Sequence, residues 1–239
     1  MKATIDEIET DHFLNWIKVA TRAQTHRLSQ GYQGYTYLYE KGGQRWVVKA
    51  PEGCGPGRWV RRWMLYNEYK AYATLGHIDG VPKFYGFIDG SYLVLEYIDG
   101  PTIRKANIDD PADFYDELFT CIQRLHRKGV VHGDLKRKDN ILIVDKRHPI
   151  LIDFGVAIVR KAGWAPVNHF LYRLLKQFDY NAWIKHKYDR KVDQVCEEDR
   201  CYFHRTWVEY LTGWTKRGYR KIKRCVLSSD GPKKKLSAK

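Results

Sequence analysis

Alternating aromatic and polar residues dominate the N-terminal part of the chain. The stretches 35–40 (YTYLYE) and 45–50 (RWVVKA) have the period of half-buried strands, and a Gly-Gly turn between them predicts a hairpin. Two further strands are predicted at 83–88 (KFYGFI) and 92–98 (YLVLEYI), separated by the hairpin dipeptide Asp89-Gly90. The pattern therefore predicts an antiparallel sheet.

The hydrophobic period changes to that of helices between and after these strands. A helix is predicted at 58–76, where Trp59, Trp63, Tyr66 and Tyr69 are expected to pack between helix and sheet. Pro111 opens a second helix over 112–129. Two strands follow at 141–144 and 150–155. Helical patterns then follow at 169–178, 180–188 and 197–211. A strand-rich part therefore precedes a helix-rich part, with the join near Asp99–Pro101.

Charge is distributed unevenly over the 239 residues, whose formal net charge is +14. Residues 1–120 carry 14 basic and 16 acidic side chains, whereas residues 121–239 carry 28 basic and 12 acidic ones. Residues 216–239 alone contain ten basic residues and one acid. Such a basic end suits phosphate, nucleic acid or anionic lipid, or serves only as a solvated tail.

Composition excludes several classes of protein. A hydrophobic content of 44% and a charged content of 29% exclude disordered and collagen-like chains. No apolar run reaches the length of a membrane span, and the first residues lack the apolar core of a signal peptide. The cysteines are odd in number and contain no C-x-x-C pair, which favours reduced thiols over a zinc site. We therefore expect a cytoplasmic protein.

Two acidic motifs in the second half carry the strongest chemical signal. His132-Gly133-Asp134 places a carboxylate on a loop before an apolar strand, and Asn140 follows where it can share a metal ion with that carboxylate. Asp153-Phe154-Gly155 ends the next apolar strand with another carboxylate. Each motif alone is common, but the two in this order are hard to obtain by chance.

Two features of the first half complete the pattern. Lys49 lies on a predicted strand and Glu68 in the middle of the following helix, so that the glutamate can hold the lysine against phosphate oxygens. The segment Ser29–Thr36 has Gly31 and Gly34 where backbone N–H groups would approach phosphates, although an ordinary turn explains those glycines nearly as well.

This order of motifs resembles the protein-kinase superfamily over residues 25–215. The resemblance implies an enzyme, a kinase that uses ATP and Mg²⁺. It implies catalytic roles for Asp134 as the base, Lys49 as the phosphate contact and Glu68 as its orienting partner. It assigns Asn140 and Asp153 to the metal.

The same resemblance implies a nucleotide site. Gly31 and Gly34 would approach the phosphates beside Lys49, and the backbone from Glu96 to Ile98 would form the hinge that holds adenine.

The chain departs from the usual protein-kinase pattern. In the usual motif, the position of Gly133 is an arginine that binds a phosphorylated activation loop. We therefore expect that regulation by activation-loop phosphorylation is absent. Asn140 lies one residue further from Asp134 than in the usual motif, which leaves Asp139 as the alternative metal ligand. No A-P-E motif follows, and 84 residues remain after Gly155, too few for a full peptide-docking lobe.

The H-G-D loop and the short second lobe resemble small atypical kinases, namely the RIO kinases, the kinase of the KEOPS tRNA-modification complex and, most closely, bacterial lipopolysaccharide kinases. This resemblance implies phosphorylation of a sugar hydroxyl of lipopolysaccharide core or a similar glycolipid. The anionic acceptor would be met at the cytoplasmic face of the inner membrane. The alternative is an atypical Ser/Thr protein kinase or ATPase in an RNA-processing assembly, with protein or nucleic acid as partner.

The predicted fold is α+β and two-lobed, like a protein kinase. We assign residues 1–98 to an N-terminal nucleotide-binding lobe (N-lobe) with an antiparallel sheet, one helix and a short extension. Residues 99–215 are assigned to a reduced helical catalytic lobe (C-lobe), and residues 216–239 to a basic tail.

Overall fold

A five-stranded antiparallel sheet forms the N-terminal part of the protein, as the alternating pattern predicts. In the computed structural model its strands lie in the order β1-β2-β3-β5-β4. They are β1 (Arg27–Gly31), β2 (Gly34–Lys41), β3 (Gln44–Ala50), β4 (Phe84–Ile88) and β5 (Tyr92–Glu96).

Helices and two short strand pairs make up the rest of the described fold. The helices are α1 (Thr10–Ala23), α2 (Pro56–Leu75), α3 (Pro111–Arg127), α4 (Pro166–Lys187) and α5 (Glu197–Arg200). The strands are β6 (Val130–Val131), β7 (Ile141–Val144), β8 (His148–Leu151) and β9 (Ile158–Val159); β6 pairs with β9 and β7 with β8.

The structure describes residues 10–31, 34–51 and 56–206. All the elements above belong to one compact unit, which ends at Phe203. The predicted basic tail at 216–239 lies outside the described residues. The predicted lobe boundaries at residues 98 and 215 stay predictions.

Strand β3 shows how the period of two assigns the two faces of the sheet. Trp46 and Val48 are buried on one face in a cluster with α1, whereas Val47 on the other face packs against the main core, to which α2 contributes. Lys49 shares the face of Val47 because it lies two residues further along the strand. The alternation therefore points this lysine toward α2.

Helix α1 is an element that the sequence analysis did not predict. Its residues Phe13, Ile17 and Ala20 are buried at helical spacing against the outer face of the sheet. The ring centroids of Phe13 and Tyr39 lie 5.4 Å apart in an edge-on contact. The N-terminal segment is thus a cover for the sheet rather than only an extension.

Helix α3 begins and ends where the sequence predicts. The Asp110 carboxylate caps it by accepting hydrogen bonds from the N–H groups of Ala112 and Asp113, at 3.0 and 3.2 Å. Gly129 follows the helix with a φ of +76°, which favours glycine. Phe114 and Leu118 on its inner face are completely buried.

Two helix predictions were wrong in extent. The patterns at 169–178 and 180–188 belong to one helix, α4, which passes through Asp179 without a break. The helix predicted over 197–211 ends at Arg200, because Tyr202 packs edge-on against Phe119 at a centroid distance of 4.7 Å instead of continuing the helix. Residues 207–211 lie outside the described residues.

The expected packing of the α2 aromatic residues was also wrong in part. Tyr69 stacks on Phe87 of β4, with ring centroids 4.7 Å apart. Trp59 and Trp63 instead lie on the solvent side, 73% and 54% exposed, and Tyr66 is half exposed. Helical spacing groups residues on one face but does not say which part of that face the sheet covers.

Candidate active site

Lys49, Glu68 and Asp153 meet at one point, although they come from a strand, a helix and a loop. The Lys49 Nζ lies 2.7 Å from Glu68 Oε1 and 3.9 Å from Asp153 Oδ1. Glu68 Oε1 also accepts a hydrogen bond from the backbone N–H of Phe154 at 3.3 Å. One carboxylate oxygen therefore ties the lysine to the segment that carries Asp153.

The ion pair between Lys49 and Glu68 is buried, and burial affects the pKa of both groups. The Glu68 side chain is fully buried, and among the described residues its Oε2 has no hydrogen-bond partner. Burial raises the pKa of Glu68, and the Lys49 ammonium offsets part of that effect. Burial also opposes the ammonium of Lys49, but the charges of Glu68 and Asp153 outweigh it and raise the Lys49 pKa. Lys49 is therefore held protonated for contact with an anion.

Phe154 fixes the loop that follows β8. Its ring is completely buried between Tyr72 of α2 and His132, with centroid distances of 5.1 and 4.7 Å. Asp153 just before it has a φ of +73°, a left-handed conformation that costs a non-glycine residue free energy. Packing of Phe154 thus stabilises a strained backbone that turns the Asp153 carboxylate toward Lys49.

The loop 132–140 brings Asp134 and Asn140 together. The Asn140 Nδ2 donates to the backbone oxygen of Asp134 at 3.0 Å and lies 3.4 Å from its Oδ2. His132 accepts from the Asp134 N–H at Nδ1, at 3.3 Å, and its Nε2 donates to the backbone oxygen of Ile152 at 2.9 Å. His132 is therefore a brace for the loop.

The alternative metal ligand Asp139 faces another partner. Its two carboxylate oxygens accept from Arg104 at 2.9 Å each, on the exposed side of the loop. Asn140 is buried and directs its Nδ2 to Asp134, which leaves its amide oxygen to face a cation. An amide oxygen and the Asp153 carboxylate are the hard oxygen donors that Mg²⁺ accepts together with phosphates, so this donor set fits Mg²⁺.

Gly133 is explained by backbone geometry. Its φ is +80°, and a Cβ at this position would lie 3.0 Å from the Leu175 Cδ1 of α4. A side chain here would therefore be strained and crowded at once. The arginine that is usual at this position does not suit this loop.

Asp179 is a site residue that the sequence analysis missed. Its buried carboxylate in α4 accepts from the backbone N–H groups of His132 and Gly133 at 2.9 and 2.8 Å, and from His126 Nε2 at 3.0 Å. These bonds hold the start of the loop that bears Asp134. The available signal was an acid inside an apolar helical pattern, which implies a buried partner.

Asn67 is a second residue that the sequence analysis missed. Its Nδ2 donates to the backbone oxygens of Gly155 and Ala157, at 3.1 and 2.6 Å. It neighbours Glu68, so adjacent residues of α2 hold both sides of the Asp153-Phe154-Gly155 turn. A polar residue beside the predicted glutamate was the only sequence signal.

Asp134 has a partly buried and electrostatically balanced carboxyl group. Burial raises its pKa above the ordinary value, while Arg137 and His132 act in the opposite direction. The Arg137 Nη1 lies 3.9 Å from Asp134 Oδ2. The carboxyl group is thus a stronger proton acceptor than an exposed aspartate.

The predicted nucleotide residues lie on β1, β2 and β5 and directly after β5. Gly31 and Gly34 are paired at the end of the β1–β2 hairpin, and the turn residues 32–33 lie outside the described residues. Glu96 ends β5, where its N–H donates to the Lys83 oxygen at 2.9 Å and its Oε2 accepts from the Lys83 N–H. Ile98 follows two residues later and is partly exposed. Their contacts with a nucleotide stay predictions.

These features define the class of protein. A lysine–glutamate pair between a sheet and a helix, together with a carboxylate on a loop, is the arrangement of an enzyme that transfers phosphoryl groups. The model of the protein kinase domain family matches residues 56–192. The chain belongs to this family and is a kinase with a two-lobed, α+β protein-kinase-like fold. The finer resemblance to lipopolysaccharide, RIO and KEOPS kinases stays a proposal.

Individual relatives are Ser/Thr protein kinases. The chain is 34% identical over 86 residues to serine/threonine-protein kinase D of Synechocystis sp.. The aligned segment covers 33% of this chain and 17% of that protein. The chain is 28% identical over 141 residues to mouse serine/threonine-protein kinase greatwall, which covers 55% of this chain and 16% of that protein. The chain thus spans less than a fifth of the length of either relative.

Proposed function

We propose that this kinase transfers the γ-phosphoryl group of ATP to a Ser/Thr hydroxyl of a protein. The observation that carries the phosphotransfer is the assembled site, in which Lys49 pairs with both Glu68 and Asp153. The protein acceptor is supported by the relatives, which are Ser/Thr kinases from a cyanobacterium and a mammal. An acceptor within an RNA-processing assembly is one form of this proposal, and the cytoplasm is the proposed location.

The proposed mechanism follows from the charges of the site. Lys49, held protonated by Glu68, binds phosphate oxygens of ATP and neutralises their charge. Asp134 accepts the proton of the attacking hydroxyl, and burial suits it to this role by raising its pKa. Asn140 and Asp153 would hold Mg²⁺, which supplies further neutralisation of the phosphates when bound.

A sugar hydroxyl of a lipopolysaccharide-type glycolipid is the second candidate acceptor. The observation that favours it is the short connection between the Asp153-Phe154-Gly155 turn and α4. Only residues 156–165 lie between them, and α4 then packs directly on Gly133 beside Asp134. This connection offers little backbone for aligning an extended peptide, so a compact acceptor fits the described surface well.

Transfer of ³²P from ATP tests both steps of the proposal. The purified chain is incubated with Mg²⁺ and either a protein extract or purified core glycolipid. We expect labelled phosphoserine or phosphothreonine in the protein arm. Label confined to the glycolipid overturns the protein acceptor and supports the second candidate. Label in neither arm, together with no ATP turnover, contradicts the proposed phosphotransfer.

A matched pair of substitutions on one loop tests the site. Asp134→Asn removes the proposed base and is expected to lower transfer by at least about 100-fold. Asp139→Asn makes the same chemical change further along the same loop, where the carboxylate binds Arg104. This variant should keep transfer within about threefold of wild type. Equal losses in both variants would contradict the assignment of Asp134 as the base and Asn140 as the metal ligand.

A further inference from the structure

An exposed apolar surface lies at the start of α4, beside the catalytic loop. We name it the α4 patch; it consists of Trp164, Val167, Phe170 and Leu171, which are 94%, 71%, 54% and 38% exposed. The last three residues have the i, i+3, i+4 spacing that places them on one helical face. A cluster of this kind marks an interaction site more often than scattered apolar residues do.

The α4 patch is held in place by hydrogen bonds on its inner side. The Asn168 side chain accepts from the Lys161 N–H at 2.8 Å and donates to the Val159 oxygen at 3.0 Å. His169 Nε2 donates to the Lys161 oxygen at 2.9 Å. Both ends of the turn that presents Trp164 are therefore tied to the fold, and the exposure of its ring is a property of the folded chain.

The charged side chains of the segment that carries the α4 patch are all cationic. Residues 154–178 include four Lys and Arg residues and no acidic residue. Three of the four, Arg160, Lys161 and Arg173, are exposed. The patch is thus an apolar surface with a cationic rim.

We propose that the α4 patch docks the protein on the surface of an anionic phospholipid bilayer. Trp, Phe and Leu on one face with Lys and Arg around them are the side chains with which interfacial helices enter the headgroup region. The cationic rim complements the negative surface potential of such a membrane. None of the described helices is long and apolar enough to cross a membrane.

The position of the α4 patch links docking to the site. Leu175 lies one helical turn beyond Leu171 and is the residue against which Gly133 packs. The docked face would therefore adjoin the loop that bears Asp134. Docking does not depend on the proposed acceptor, because a membrane-bound protein and a glycolipid are both presented at this surface.

Co-sedimentation of the full chain with vesicles tests the docking. Wild type should bind vesicles of phosphatidylglycerol and phosphatidylcholine more strongly than vesicles of phosphatidylcholine alone. The double variant Trp164→Ser/Phe170→Ser should lower the partition coefficient by about tenfold or more. Because both side chains are exposed, the melting temperature should stay near that of wild type.

A matched control removes two aromatic residues elsewhere. Trp59→Ser/Trp63→Ser deletes two exposed tryptophans of α2, which also have arginines beside them in the sequence, and should retain vesicle binding. Binding that is lost in this control and kept in the α4 variant overturns the proposal. Absence of wild-type binding to anionic vesicles also overturns the proposal. So does the finding that wild type is a dimer and the α4 variant a monomer, because the α4 patch would then be a dimer interface.

Quenching of tryptophan fluorescence separates the α4 patch from the basic tail at 216–239. Lipids brominated in their acyl chains should quench wild-type emission more than that of Trp164→Phe, measured at high salt where purely electrostatic binding is weakened. Equal quenching of the two proteins would show that Trp164 does not enter the bilayer, and would contradict the proposal.

Discussion

At the scale of single residues, the environment of Asp134 sets the chemistry. Burial raises its pKa, and the nearby Arg137 guanidinium restrains that rise. Asn140 adds a hydrogen bond that also favours the charged form. The proton affinity of the proposed base is therefore a balance between burial, which raises it, and Arg137, His132 and Asn140, which lower it.

Arg137→Gln should move the acid limb of the kcat/KM profile to higher pH. The base acts as a carboxylate, so activity falls as the pH drops through the pKa of Asp134. Removing the cation raises this pKa further, and the loss then begins at a higher pH. The pH dependence of ³²P transfer measures the shift.

Lys138→Gln is the control for this prediction, since it removes the same charge from the same loop at a residue that does not pair with Asp134. Its acid limb should stay within the error of wild type. An unchanged limb in Arg137→Gln, or an equal shift in both variants, would mean that another group sets the acid limb.

At the scale of elements, α4 serves as the support of the catalytic loop. Its Asp179 carboxylate accepts from two consecutive backbone N–H groups of the loop and from His126 of α3. Both N–H groups would be left without partners if the carboxylate were removed, and buried unpaired groups are costly. The loop geometry at Asp134 therefore depends on a helix that begins after it in the chain.

Asp179→Asn should weaken both stability and turnover. The amide keeps the size of the carboxylate but places an NH₂ group against one of the donors, which costs about 1–3 kcal/mol of unfolding free energy. Because ATP contacts lie elsewhere, kcat should fall more than the KM for ATP rises. Thermal melting and initial rates measure the two effects.

Asp193→Asn removes an exposed carboxylate after α4 and is the control, with no expected change in melting or rate. A wild-type rate in Asp179→Asn would contradict the supporting role of α4.

The sequence predicted the elements whose patterns depend on local periodicity. The strands around Val47 and the helix that carries Glu68 were predictable because alternation and helical spacing are local signals. Helix α1 was missed although Phe13, Ile17 and Ala20 have helical spacing, because their burial depends on the sheet that they cover. The role of Asp179 was missed, since the donors that satisfy it come from residues 126–133.

At the scale of the whole molecule, the site is a junction between parts that are distant in sequence. Lys49 comes from the sheet, Glu68 from α2 and Asp153 from the loop after β8. Asn67 adds two hydrogen bonds across the same junction. The sequence predicted the members of this junction from their motifs, but the hydrogen bonds of Asn67 depend on tertiary contacts that no motif encodes.

Mg-ATP should therefore raise the melting temperature of the whole protein. Nucleotide at about 100 times its dissociation constant adds about 2.7 kcal/mol to the unfolding free energy. Chelation of Mg²⁺ with EDTA should remove most of the shift, because the ion that Asp153 and Asn140 would hold would then be missing from the nucleotide site. Scanning fluorimetry with and without EDTA measures the effect.

Asp153→Asn should show little of this shift, whereas Asp139→Asn should retain it, since the Asp139 carboxylate is bound to Arg104. A full shift in Asp153→Asn would contradict its assignment as a metal ligand.

The short connection 156–165 has a consequence for the physiology of the enzyme. It contains no serine, threonine or tyrosine, and the loop before it has Gly133 in place of a phosphate-binding arginine. The Lys49–Glu68 pair is already formed without any modification of this segment. Phosphorylation of a hydroxyl within this connection is therefore not a route by which the enzyme could be switched on.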